Sequence, residues 1–179
     1  GKNDDLIIKR ALDSGAKGII VPMIKNKSDA KKAVDSSRYP PLGTRGVGFA
    51  RAQLYGFNFK NYLKYSKKIP IILQIEHKEA INNLNEILNV PGVSGTLIGP
   101  YDLSASVGSI GKLNSPSVKK ALAYYEKMSK KYKIKMGVHI VHPNLNKYKR
   151  YLKRGYQFIA MGTDMIFLGT ACQNVIKKI

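Results

Sequence analysis

The sequence predicts an α/β fold built on a parallel sheet. Two observations carry that prediction. Short, almost wholly apolar runs alternate with amphipathic stretches of helical period, and no hairpin signal joins one apolar run to the next. The chain has 179 residues, 44% hydrophobic and 23% charged, which suits a packed domain and excludes a disordered chain.

The elements follow in order. Asn3 is placed to cap a helix through Asp4-Asp5-Leu6-Ile7-Ile8, with acids in its first turn and Gly15 past its end. Lys17 to Ile24 (KGIIVPMI) reads as a buried strand. Ser28 is expected to cap a second helix, which stops before Arg38-Tyr39-Pro40-Pro41, and the Gly-rich loop from Gly43 to Gly48 follows. Asn58 to Lys68 reads as helix. Ile69 to Glu76 (IPIILQIE) is the clearest strand, and His77 to Leu88 a helix. Pro91-Gly92 turns the chain into a strand at Ser94 to Ile98, and Gly99 to Lys112 is expected to be a long polar loop. Ser115-Pro116 opens a helix with proline at its first position, running to about Lys133. Lys135 to Val141 is strand, Pro143 to Arg154 helix closed by Gly155, and Tyr156 to Met161 strand; Asp164 opens the last helix.

That is roughly five strand–helix units. A closed (β/α)8 barrel takes eight units and roughly 250 residues. A doubly wound open sheet also fits the count, although no GxGxxG fingerprint follows a strand. The chain does not begin with Met, and the expectation is that it starts partway through a longer product.

The formal net charge is +20. Such a field attracts phosphates, acidic substrates and anionic surfaces. The lysine pairs fall on different predicted helices, and zinc-finger spacing and RNP-like aromatic patterning are missing, so nucleic acid is not the expected partner. No apolar run reaches the roughly 20 residues of a membrane span. The single cysteine, Cys172, rules out an intrachain disulfide and suits a cytoplasmic chain; it is expected to be a packed helix thiol.

In parallel α/β folds chemistry sits at the carboxyl ends of the strands. One such end is Gln74-Ile75-Glu76, where alternation puts Gln74 and Glu76 on one face; the next is Gly99-Pro100-Tyr101-Asp102. Glu76 and Asp102 would therefore converge. Two carboxylates with open positions between them suit Mg2+ or Mn2+. The plainer alternative is that Glu76 caps the following helix and Asp102 caps the turn from Leu103 to Val107.

These stretches carry a resemblance. GAKGIIVPMIKNKSDAKKAVDSSRYPPLGTRGVG resembles the HpcH/HpaI aldolase family, with its VPM strand end and YPPxGxRGVG loop. Gln74-Ile75-Glu76 and Gly99 to Ser104 are similar to the family's QIE and GPxDLS motifs, and Gly155 to Asp164 to its final strand. The resemblance runs from about Asn3 to the C-terminus. It implies one partial TIM-barrel domain over residues 1–179, of the parallel (β/α)8 type and lacking its N-terminal strand–helix units.

The activity it implies is that of a class II aldolase, a carbon–carbon lyase that cleaves or forms a hydroxy-2-oxo acid through a pyruvate enolate. Glu76 and Asp102 would hold the divalent metal, and Gln74 with the backbone around Tyr101 and Asp102 would hold the 2-oxo acid. The partners implied are a 2-oxo acid, an aldehyde and, in the complete protein, further copies of itself. Asp13 matches the family's acidic residue that raises the basicity of a base histidine. That histidine and a transition-state arginine belong to strands that would precede Gly1. A non-catalytic barrel fragment that binds a 2-oxo acid or a protein is the alternative. Three further residues stand out. His139, by strand parity, is expected to face the interior near Gln74. Arg45 either meets an anionic substrate or a neighbouring subunit, or braces its loop through carbonyl contacts. Lys25 follows a strand as a solvated lysine.

Overall fold

The computed structural model describes residues 2–179. At its centre lie five parallel strands: β1 (Ile19–Val21), β2 (Ile71–Ile75), β3 (Gly95–Ile98), β4 (Lys135–Ile140) and β5 (Phe158–Met161). They are hydrogen-bonded in sequence order, β1-β2-β3-β4-β5, with every pair parallel. Each return is made by helix: α1 (Asp5–Asp13) precedes β1, then come α2 (Lys27–Ser37), α3 (Phe59–Ser66), α4 (Lys78–Asn82), α5 (Leu84–Leu88), α6 (Pro100–Ser106), α7 (Pro116–Lys131), α8 (Leu145–Lys153) and α9 (Asp164–Ile176). The result is an α/β fold on a five-stranded parallel sheet in which β1 and β5 each have one strand neighbour.

The core lies between sheet and helices. Ile71, Leu73 and Ile75 of β2 are fully buried, as are Ile24, Leu84, Ile87, Leu103 and Tyr125. Removing each such side chain from water is worth about 1.5–3 kcal/mol. On the other face the register sets Gln74, Leu97, Gly137 and Phe158 in one row. The Phe158 ring occupies the space that a Cβ on Gly137 would need.

The strands are shorter than their apolar runs. β1 pairs only over Ile19–Val21 because Pro22 has no N–H to give and Met23 turns to φ 57°. The caps also differ. Asp4, not Asn3, caps α1 through its carboxylate to Ile7 N–H, and Asn3 instead donates to the Asp29 carbonyl. Asn26, not Ser28, caps α2. The helix expected from His77 to Leu88 breaks at Asn83, whose side chain reaches the Lys25 carbonyl. The expected loop after Gly99 begins with α6, with Pro100 at its first position. Ser115 caps α7 as expected. Cys172 is exposed rather than packed, on an apolar α9 that has no buried residue. Among the described residues, no helix is long and apolar enough to cross a membrane.

Candidate active site

The carboxyl ends of β2 and β3 meet through Gly99, whose N–H donates to the Ile75 carbonyl at 3.0 Å. Immediately after β2 stands Glu76, 5% exposed. Its Oε1 accepts the Met23 N–H at 2.8 Å and its Oε2 accepts the Gln74 side-chain amide at 2.5 Å. The i,i+2 bond confirms that Gln74 and Glu76 share a face. Among the described residues no Lys, Arg or His lies within ion-pair distance of Glu76. A buried carboxylate held only by neutral donors is a poor arrangement unless a cation joins it.

Two backbone features serve this carboxylate. Met23 takes the left-handed conformation, one that costs a non-glycine residue of order 1–3 kcal/mol, and so aims its N–H at Glu76. At Gly99 a Cβ would stand 2.9 Å from the Glu76 Cβ and 3.2 Å from its Oε2, so only glycine leaves the carboxylate its room. Glu76 does not cap the next helix; the His77 ring does, accepting the Glu79 N–H.

Asp102 lies in the first turn of α6, exposed, and its side chain makes no hydrogen bond or ion pair with any described residue. It is not a cap. The Tyr101 and Asp102 N–H groups precede the first intrahelical bond of α6, Leu103 to Gly99, and are free to meet an anion. A cavity of about 210 Å³ opens here, lined by Gln74, Gly99, Tyr101, Asp102, His139 and Ala160 among others. Glu76 lies on the Met23 side of Gln74 and does not line it. His139 faces this interior as its parity predicts. Its Nε2 is 3.3 Å from the Gly162 carbonyl, an oxygen that can only accept, so the ring carries its proton there.

Asp13 stands elsewhere. It ends α1, on the side where β1 begins, whereas Glu76 and Asp102 follow the strands' other ends. Its Oδ1 accepts Arg45 Nη2 at 2.6 Å, and it pairs with Lys9. Arg45 is fully buried between the Tyr39 and Tyr62 rings, 4.6 and 5.7 Å away, and also donates to the Tyr62 hydroxyl. Burial works against its charge, but the bonds to Asp13 and Tyr62 more than offset that and hold its pKa above the ordinary arginine value. Arg45 thus braces its loop through a carboxylate, not through carbonyls. Lys25 pairs with Glu79 on the surface.

Among the described residues no group of three or more His, Cys, Asp or Glu converges as a closed metal site. Glu76 follows β2 and Asp102 follows β3 at the same end of the sheet, and of these two carboxylates only Asp102 lines the cavity.

The family model described as HpcH/HpaI aldolase/citrate lyase matches residues 1–171. The chain belongs to the HpcH/HpaI aldolase/citrate lyase family. It is 40% identical over 178 residues to a 4-hydroxy-2-oxo-heptane-1,7-dioate aldolase of Shigella flexneri, covering 98% of this chain and 66% of that protein. It is 34% identical over 174 residues to a 5-keto-4-deoxy-D-glucarate aldolase of Escherichia coli O6:H1, covering 97% and 67%. Among solved structures it resembles an HpcH/HpaI family protein of Burkholderia cenocepacia, with a TM-score of 0.91, 30% identity, and 99% and 70% of the two chains covered. The chain spans about two thirds of the length of these family members.

Sequence reasoning missed Met23 and the Arg45–Asp13 pair. Nothing local in the sequence marks either. A left-handed methionine has no composition signature, and the ion pair joins residues 32 apart.

Proposed function

We propose that the complete protein is a class II aldolase, a carbon–carbon lyase that cleaves or forms a hydroxy-2-oxo acid through a pyruvate enolate, with Mg2+ or Mn2+. The observation that carries this reading is Glu76: a buried carboxylate without a cationic partner among the described residues, at the strand ends where Asp102 offers a second carboxylate, unengaged by any of them. Glu76 and Asp102 would hold the cation. When bound, it supplies Lewis acidity that stabilises the negative charge developing on the keto oxygen of the 2-oxo acid. Gln74 orients Glu76 by its amide and lines the adjoining cavity. The unbonded N–H groups of Tyr101 and Asp102 suit the carboxylate of that acid. The proton on the acceptor's hydroxyl requires a general base. Donation of its Nε2–H to Gly162 leaves the His139 Nδ1 lone pair and does not decide the base; on the family resemblance the base is assigned to a histidine outside residues 1–179, with Asp13 as its helper only in the complete assembly.

The relatives named above are aldolases acting on hydroxy-2-oxo diacids or a keto-deoxy sugar acid, which supports a small-molecule 2-oxo acid and an aldehyde as partners. The second reading is a non-catalytic piece that binds a 2-oxo acid or a protein. The test is exchange of pyruvate methyl protons with deuterated water, followed by NMR, on the protein of the complete reading frame with and without Mn2+. Metal-dependent exchange is expected, abolished by Glu76→Gln and by Asp102→Asn. Exchange that survives either substitution removes that residue from the site.

A further inference from the structure

α8 turns the wrong kind of face inward. Lys147, Arg150, Tyr151 and Arg154 recur at i, i+3, i+4 and i+7, the spacing that an amphipathic helix normally gives to its apolar stripe. Here that stripe holds three cations, and α8 buries no residue. It faces a cavity of about 620 Å³. The opposite wall is α7 with its preceding loop, which adds Lys112 and Lys119. His142 lies at the end of β4, and no Asp or Glu lines the space. Arg154 is neutralised by Glu126, at 2.7 Å. Lys112, Lys119, Lys147 and Arg150 have no ion-pair partner among the described residues. Like charges one helical turn apart repel, so this arrangement disfavours the empty cavity.

We infer that this cavity is a binding site for a phosphate-bearing small molecule. Four unpaired cations on two walls match a ligand of charge −2 or more, and the space far exceeds what a lone carboxylate fills. Arg150 presents a fork that fits two phosphate oxygens, and the lysines act as point charges. The half-buried Tyr151 offers a ring to the organic part of the ligand. The cavity adjoins the smaller one at the strand ends, sharing Pro100, Tyr101, His139 and Val141 with it. The phosphate is therefore carried either by the acceptor aldehyde itself or by a separate ligand seated beside the site. Only the first source rests on the aldolase reading.

Calorimetric titration of the complete protein with inorganic pyrophosphate, in metal-free buffer, reads the site without any activity. Saturable binding is expected, weakened at least about tenfold in Lys119→Gln/Arg150→Gln, two exposed positions whose loss leaves the core intact. Lys120→Gln/Lys149→Gln removes the same charge from the same two helices outside the cavity and should leave affinity within about twofold. Equal weakening in both pairs, or no saturation, overturns the inference and leaves only the diffuse field of a +20 chain. Aldol addition to glyceraldehyde 3-phosphate and to glyceraldehyde then separates the sources. A preference for the phosphorylated aldehyde that disappears in Lys119→Gln/Arg150→Gln assigns the phosphate to the acceptor. Pyrophosphate binding with no such preference assigns it to a separate ligand. Failure of all aldol chemistry with binding intact removes the aldolase reading and keeps the site.

Discussion

Arg45 carries a full charge into a place without solvent. Among the described residues its only anionic partner is Asp13, and its Nε and Nη1 have no hydrogen-bond partner. Removing one member of such a pair leaves an uncompensated buried charge, whereas the intact pair adds little net stability. Asp13→Ala is therefore expected to destabilise the protein by about 3 kcal/mol, and Asp13→Asn by less, since an amide still accepts one bond. Urea unfolding measures both; a change under about 0.5 kcal/mol for Asp13→Ala would show that water, not Asp13, compensates the guanidinium. The pairing was invisible in the sequence, where Asp13 was assigned by resemblance to support a base histidine, and Arg45 to an anionic substrate, a neighbouring subunit or the carbonyls of its own loop. What was legible was placement, Gln74 and Glu76 on one face and Asp102 just past β3, because strand alternation and strand ends are local properties.

Among the elements, the strands were readable because burial on both sides leaves nearly continuous apolar runs. Their ends were not, because apolar character continues past the last paired residue: Ile24 is fully buried yet outside β1. Caps were misplaced where two candidates lay within a few residues, as with Asn26 and Ser28. α6 announced itself through Pro100, a signal overshadowed by the polar residues that follow it. α9 poses a different problem. Met165, Leu168, Val175 and Ile176 are each more than 60% exposed on a helix without a buried residue. A helix apolar all round belongs inside something. The 179-residue polypeptide is accordingly expected to self-associate, and Met165→Lys/Leu168→Lys/Ile176→Lys to shift it towards monomer. Sedimentation velocity of the two reads this directly; identical distributions would place the sticky surface at the open edges of β1 and β5 instead.

For the molecule as a whole, two tyrosines tie stability to alkaline pH. Tyr125 is fully buried against Thr96, its hydroxyl 2.8 Å from Oγ1, and Tyr156 donates to Glu126 at 2.9 Å. Burial pushes both phenols well above the ordinary tyrosine value, and for Tyr156 the nearby Glu126 carboxylate adds to the effect. Their folded pKa values being raised, both stay neutral when the unfolded chain begins to ionise. Their contribution is complete below about pH 10 and is lost above it, at about 1.4 kcal/mol per pH unit for each. Tyr125→Phe/Tyr156→Phe should flatten the fall in stability between pH 10 and 11, as followed by urea midpoints. An unchanged slope would mean that lysine deprotonation, not these phenols, drives alkaline unfolding. The sheet's order, β1 to β5 in the order of the sequence, reaches into synthesis on the ribosome. Each strand's partner is simply the next one made, so pairing can advance with the emerging chain. The intervals are unequal: Gly137 finds Phe158 soon after, but Ile19 must wait for Ile71. Throughout that wait β1 lacks its β2 partner, and the passage from Arg38 to Lys68 is the stretch of translation in which that side of β1 stays unpaired.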